Sequence, residues 1–224
     1  MKHLKRFNEA IIDYKSDNIE GFYNDCLDKV KEDEESKKQS SKKQYLTKPG
    51  LILPKEMKEI GVKYEIEVVD YNTFFNELSD DNKKGAPPRG VPAFALVNPD
   101  TNKPRVVYGV EFISKDILDH IHHMLKHENI HIGQKDRSGG KGEGEGMDVK
   151  DRKVYFSNKD EVMAFSQSIS DMLMKSNPKD IKSALIGLNR NPIWNDIKRA
   201  VDKDILQRYK KYIYLYLEKE FESK

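Results

Sequence analysis

Between residues 4 and 30, apolar side chains recur at Leu4, Phe7, Ile11, Ile12, Tyr14, Ile19, Phe22, Leu27 and Val30, mostly at helical spacing. The pattern lapses near Ser16 to Asn18, where a break in the helix is expected. The run that follows, VKEDEESKKQSSKKQ, is acidic first and basic after. It has almost nothing to bury, so it reads as a solvated helix end or a flexible linker. From Tyr45 the texture changes. GLILPKEM and VKYEIEVVDY look extended, the second alternating Val62, Tyr64, Ile66 and Val68 against charged neighbours. GAPPRG is a loop by composition, and AFALVNP and PRVVYGVEF read as two strands joined by a hairpin-like NPDTNKP connection.

Helical periodicity then takes over. Ser114 is a good N-cap for a helix whose apolar positions are Ile117, Leu118, Ile121, Met124 and Leu125. Gly133 predicts its stop, giving a helix over about 115–132. Residues 139–146 hold five glycines in eight positions, which predicts a mobile surface loop. That loop lacks the strand–loop–helix context and the Lys-Ser/Thr ending of a phosphate-binding loop. Three helices should follow: one over about 159–175, one after Asn177-Pro178, and one after Asn191-Pro192 that reaches toward Phe221. The last carries an apolar stripe of Ile193, Ile197, Val201, Ile205, Tyr209, Tyr212 or Ile213, Tyr216 and Leu217, and Trp194 belongs to a core. The expected class is α+β. A helical segment with a charged linker occupies 1–45, and a single domain fills 46–224, with strands over about 50–112 and helices from 115 onward.

Composition narrows the function classes. The chain has 224 residues, is 37% hydrophobic and 35% charged, and carries a net charge of only +2, so overall charge gives no reason to expect a nucleic acid partner. The basic cluster Lys37 to Lys43 has no aromatic interleaving that would change this. The single cysteine, Cys26, forms no internal disulfide and is expected as a half-buried helix residue. MKHLKRFNEAIIDYK is interrupted by Asn8, Glu9 and Asp13 and is no signal peptide. No stretch approaches the ~20 apolar residues of a membrane span. A cytoplasmic protein without a membrane partner is expected.

The most specific chemistry lies in HENIH, residues 127–131. Positions i and i+4 of a helix share a face, so His127 and His131 can offer two imidazoles to one metal ion. Glu128, about 100° round the helix, stands near enough to act on a metal-bound water without being a ligand itself. Zinc lowers the pKa of such a water and the glutamate takes its proton. Chance competes with this reading, because five histidines fall within residues 120–131. His123 and His127 share the spacing, but Met124 follows His123 and supplies no base. Both His127 and His131 flank the helix's apolar stripe, at the edge of a core. The preceding PRVVYGVEF, as an edge strand, could pair with an extended peptide.

A catalytic zinc site needs a third protein ligand. Glu161, Asp136, Asp148, Glu143 and Glu145 are the candidates. Glu161 is favoured because a second packed helix holds a ligand more rigidly than a glycine-rich loop. Its competing role is capping: Asn158 with Glu161 forms a cap-x-x-Glu pattern, and Ser157 with Asp160 forms another that would serve without Glu161. An oxyanion-stabilising group is required too, with Tyr155 the first candidate and Tyr108 the second. His120 and His123, farther back on the helix, are either surface residues or supports for the ligands.

HENIH, followed after a spacer by a helix opening EVMAF, resembles the zincin superfamily of metallopeptidases in its glutamate-liganded, gluzincin-like branch. HENIHIGQ, followed by a tyrosine and the E-x-x-A-F helix, is similar to peptidases encoded by tailed bacteriophages. The resemblance covers about residues 91–175. It implies a small mixed or antiparallel sheet packed on the HExxH helix, zinc held by His127, His131 and Glu161, and Glu128 as general base. For a phage-encoded chain it implies the host cytoplasm or the virion. Gln134 and Arg137 stand where the metzincin branch has its glycine and further ligand, which excludes that branch. Phe165 stands where the thermolysin-like branch has an aspartate that orients the first histidine. A zinc metallopeptidase acting on a peptide or protein is the function expected. The alternatives are a virion or assembly protein that keeps the scaffold, and a helical protein in which HExxH is coincidence.

Overall fold

In α1 (Ser16–Gln39), Ile19, Phe22, Cys26 and Val30 follow one another at three- and four-residue steps and are all sealed from solvent. This computed structural model describes residues 16–39, 50–83, 86–98, 100–137 and 151–222. The glycine-rich run, with Glu143, Glu145 and Asp148, lies outside the described residues, as do the first fifteen positions and the side chain of Asp136. Beyond Val30 the chain has no apolar residue to bury, yet α1 continues to Gln39. Asp33 accounts for this locally: its carboxylate pairs with Lys37 at 2.9 Å and accepts the N–H groups of Gly50 and Leu51 at 2.9 and 3.1 Å. The start of the charged run is therefore a helix end.

The extended reading of the next stretch is partly overturned. After β1 (Leu51–Ile52), Pro54 opens α2 (Pro54–Lys63), and the Glu56 carboxylate accepts the Leu53 N–H at 2.9 Å. Met57 is buried beneath this helix while Val62, counted as an inward strand position, is 78% exposed. Proline at the first turn and the cap at Glu56 outweigh a four-residue alternation. Within VKYEIEVVDY the strand is β2 (Glu67–Asp70), with Ile66 and Val68 buried as expected. A Cβ at Gly61 would lie 2.5 Å from the Ile66 carbonyl oxygen, so this close approach of helix and strand requires glycine.

β3 (Ala93–Val97) and β4 (Pro104–Tyr108) pair antiparallel as the hairpin pattern predicts. β2 adds parallel on the other side of β4, with Val68 opposite Val106, so the order is β2–β4–β3. β4 is thus central, and the expectation that PRVVYGVEF offers an edge to a peptide is corrected. A parallel partner arriving from far upstream leaves no local mark in the β4 sequence. Val106 and Val107 point to opposite faces and both are fully buried. The Val106 face packs with α1 and with Leu118, Ile121 and Leu125, while Val107 and Phe94 pack with Tyr71 and Phe74. Those last two belong to α3 (Tyr71–Glu77), capped by Asp70 and followed by the short α4 (Asp80–Lys83). β5 (Ile113–Ser114) pairs with β1.

α5 (Lys115–Arg137) starts as expected, the Ser114 hydroxyl accepting the Ile117 N–H at 3.4 Å. It does not stop at Gly133. A glycine inside a helix costs about 1 kcal/mol relative to alanine, and Ile132, Gly133 and Gln134 are all buried here, so packing carries the helix onward. The first half of α5 is clasped to α1. Glu20 Oε1 lies 3.1 Å from His122 Nε2 and 3.3 Å from Lys126 Nζ, the Tyr23 ring stacks on His122 at 4.1 Å, and the Tyr23 hydroxyl donates to Asp119 at 2.6 Å.

Two compact units are distinguished, Met1–Asn129 and Ile130–Lys224, with α5 running continuously through the boundary. The described residues of the second are helical. α6 (Arg152–Ser157) was not anticipated; it is short and capped by Asp151. α7 (Lys159–Met174) matches expectation. α8 (Ile181–Ile186) begins later than Asn177-Pro178 implied, because the reciprocal Asp180–Ser183 bonds form the cap and Asn177 turns at φ 49°. A short 3-10 turn (Gly187–Arg190) leads into α9 (Pro192–Ala200), which Asn191 caps as predicted. The expected long final helix is interrupted at Val201, which is extended, so α10 (Lys203–Glu222) is separate. Trp194, Ile197, Tyr209, Ile213 and Leu217 share the core of this unit with Val162, Ile169 and Leu173 of α7. None of the helices among the described residues is long and apolar enough to cross a membrane.

α7 and α10 meet along a seam of small residues. The buried Ser166 hydroxyl donates to the Val162 carbonyl at 2.6 Å and reaches the Tyr209 carbonyl at 3.4 Å. One turn on, Ser170 repeats the arrangement with Ser166 at 2.8 Å and Ile213 at 3.2 Å. Replacing Ser170 with leucine should destabilise the protein by about 1–3 kcal/mol through overpacking, with Ser170→Ala costing less. Urea unfolding of the two variants ranks them, and an unchanged midpoint for Ser170→Leu would contradict the seam. A second expectation concerns acid. The His122 hydrogen bond, helped by Lys126, holds the Glu20 carboxyl at about 2, below the ordinary 4.5. A depressed folded-state value means this stabilisation is complete above about pH 4.5 and lost as pH falls toward 2. Glu20→Gln should flatten the stability profile across that window, as read by denaturant titrations at stepped pH.

Candidate metal centre

Helix geometry fixes the first two groups. His127 and His131 lie one turn apart on the continuous α5, and Gln134 lies three residues beyond His131 on the same side. The third comes from α7. The Asn158 side chain accepts the N–H groups of Asp160 and Glu161 at 2.8 and 3.4 Å. Asn158 is therefore the cap, in place of the Ser157–Asp160 pair, and the Glu161 carboxylate turns to the histidine. Its Oε1 lies 3.5 Å from His131 Nε2, with the two side chains only 12% and 22% exposed.

One ligand atom from each of His127, His131 and Glu161 lies within 4.8 Å of the other two, and among the described residues these three form the group able to hold a metal ion. Zinc–nitrogen and zinc–oxygen bonds of about 2.0–2.2 Å at tetrahedral angles put neighbouring ligand atoms about 3.3–3.5 Å apart. The His131–Glu161 separation already has that length. Two imidazoles and one carboxylate are also the donor types that suit zinc, and three protein ligands leave a fourth position for water or substrate. The residues fit the metal.

No family model matches the chain, and no curated protein or solved structure matches it either. The assignment of the site thus stands on its donor chemistry and geometry.

Glu128 is half-buried on α5 directly after His127. Tyr155 lies on α6, its ring edge-on to Phe165 at 5.8 Å, and Phe165 is one turn past Glu161 on α7. Phe165, at the position of the thermolysin-like branch's aspartate, packs in an aromatic cluster with Tyr155 and Phe156. Tyr209, expected only as part of the last helix's apolar stripe, is buried beside it and donates to the Phe156 carbonyl at 3.0 Å. Burial raises the Tyr209 pKa first, and the charges of Glu161 and Tyr155 add to the rise. Tyr108 sits on central β4, where burial and then the Asp70 charge raise its pKa. His120 is exposed and His123 half-buried, near the His122 clasp.

The protein purified without a polyhistidine tag should bind one zinc per chain. Zinc at a hundred times its dissociation constant should add about 2.7 kcal/mol to stability. His131→Ala and Glu161→Ala should each lose most of this gain. Isothermal titration and thermal melts with and without zinc measure both effects.

Proposed function

We propose that this protein is a zinc-dependent metallopeptidase that hydrolyses a peptide bond with Glu128 as general base. The observation that supports this reading most is the approach of the Glu161 carboxylate to a helical His-Glu-x-x-His pair. His127, His131 and Glu161 would hold the ion. Zinc in such a site supplies a Lewis acid that polarises the scissile carbonyl and makes water at the open position acidic.

The chain's own groups do the rest. Glu128 accepts a proton from the attacking water and returns it to the leaving amine, a role that requires a carboxylate beside the ligands but not among them. Tyr155 is the candidate donor to the developing oxyanion, since its packing on Phe165 keeps it in the Glu161 neighbourhood. Peptide recognition by pairing along β4 forms no part of this reading, because β2 and β3 occupy both of its edges. The partner is a peptide or protein substrate, met in the cytoplasm or, for a phage-encoded chain, in the host cytoplasm or virion.

Glu128→Gln should retain zinc within a few-fold of the parent affinity and lose cleavage by roughly 10²–10⁴. A quenched-fluorescent peptide library read by mass spectrometry provides the assay, with chelation and zinc re-addition as the control. Zinc-loaded protein that cleaves nothing would favour a scaffold role in assembly, and protein that takes up no zinc would make the motif a coincidence.

A further inference from the structure

The Gln134 carboxamide lies between His131 and the first turn of α7. Its Oε1 is 3.0 Å from His131 Nδ1, and its Nε2 is 3.3 Å from the Asp160 carbonyl and 3.7 Å from Met163 Sδ. The side chain is buried, so its two ends are set by these neighbours. A backbone carbonyl and a thioether only accept, and the end facing them must therefore be the NH2. The end facing His131 is then the carbonyl oxygen, which also only accepts. His131 Nδ1 must carry a proton, and in the neutral ring Nε2 is then left with the one available lone pair. Nε2 is the atom that stands 3.5 Å from Glu161 Oε1.

We infer that Gln134 is a positioning residue for the metal centre, holding His131 as the Nδ1–H tautomer with Nε2 aimed at the ion and tying that ring to the turn that carries Glu161. This rests on the metal reading above. Asp160, whose carbonyl anchors the carboxamide, directly precedes Glu161, so one side chain couples the orientation of a ligand on α5 to the position of a ligand on α7. A hydrogen bond to the far nitrogen of a ligating histidine fixes ring orientation and raises ligand basicity. It also supplies the support that Phe165 cannot, although to the second histidine and not the first.

The test uses the full chain, with zinc alone as the probe. In metal-free protein at a pH where His131 is neutral, two-bond nitrogen–proton spectra should show the Nδ1–H tautomer for His131, assigned with His131→Gln. Gln134→Leu should shift the population toward Nε2–H and weaken zinc binding by about 10- to 100-fold. Gln134→Glu, which still accepts from Nδ1–H but no longer donates to Asp160, should keep the Nδ1–H tautomer. Should Gln134→Leu not fold, Gln134→Met makes the same deletion of the carboxamide with a more adaptable side chain. An unchanged tautomer, or a zinc affinity within two- to three-fold of the parent in the folded deletion variant, would overturn the inference. Failure of the parent protein to bind zinc would instead sink the metal reading on which it rests, so the two failures are told apart.

Discussion

A carboxylate held against an imidazole, both largely withdrawn from water, is the constraint on which the functional reading depends. Such a pair is costly to assemble unless each partner has further support or shares a cation. The supports are visible. Glu161 is carried on a helix whose start is capped by Asn158, and that helix is locked to α10 by the Ser166 and Ser170 hydroxyls. His131 is carried on α5 and steadied by Gln134. What these supports bring together is three donor atoms that lie within 4.8 Å of one another.

The helix that bears both histidines also organises the first unit. Leu118, Ile121 and Leu125 of its first half are fully buried against the sheet and α1, and His122 and Lys126 on another side engage Glu20. One element therefore serves as core helix along part of its length and presents the two histidines along the rest. Apolar residues at helical spacing set the first role, and the four-residue histidine spacing sets the second. Ile132 and Gln134, on either side of Gly133, are both buried, which explains why the helix does not end where its glycine stands.

Much of this was legible in the sequence where the determinants are local. The β3–β4 hairpin, the starts of α5, α7 and α9, the Trp194 core and the face shared by His127 and His131 all follow from patterns a few residues long. What was misread depends on partners far along the chain. β4 looked like an edge because its parallel neighbour β2 comes from more than thirty residues upstream. Val62 and Tyr64 imitated a strand because alternation over four positions is weaker than a proline and a capping carboxylate, and those act on α2 from its other end. Glu161 could be nominated as a ligand but not separated from a capping role, since the choice turns on which of Ser157 and Asn158 accepts the first N–H groups. Gln134 was noticed only as a departure from another branch's pattern. Its anchor is a backbone carbonyl on a different helix, which no side-chain motif encodes.

The burial of Cys26 has a bearing on metal choice. It is the chain's only cysteine, it is sealed within the first unit's core, and burial with the nearby Asp25 charge pushes its thiol up to about 12. The folded protein consequently presents no thiolate at neutral pH. Mild oxidants therefore find no accessible sulfhydryl at Cys26. Were the group of His127, His131 and Glu161 to take up an ion, its three donors would be nitrogen and oxygen atoms, whose ligation does not depend on the redox state of a thiol.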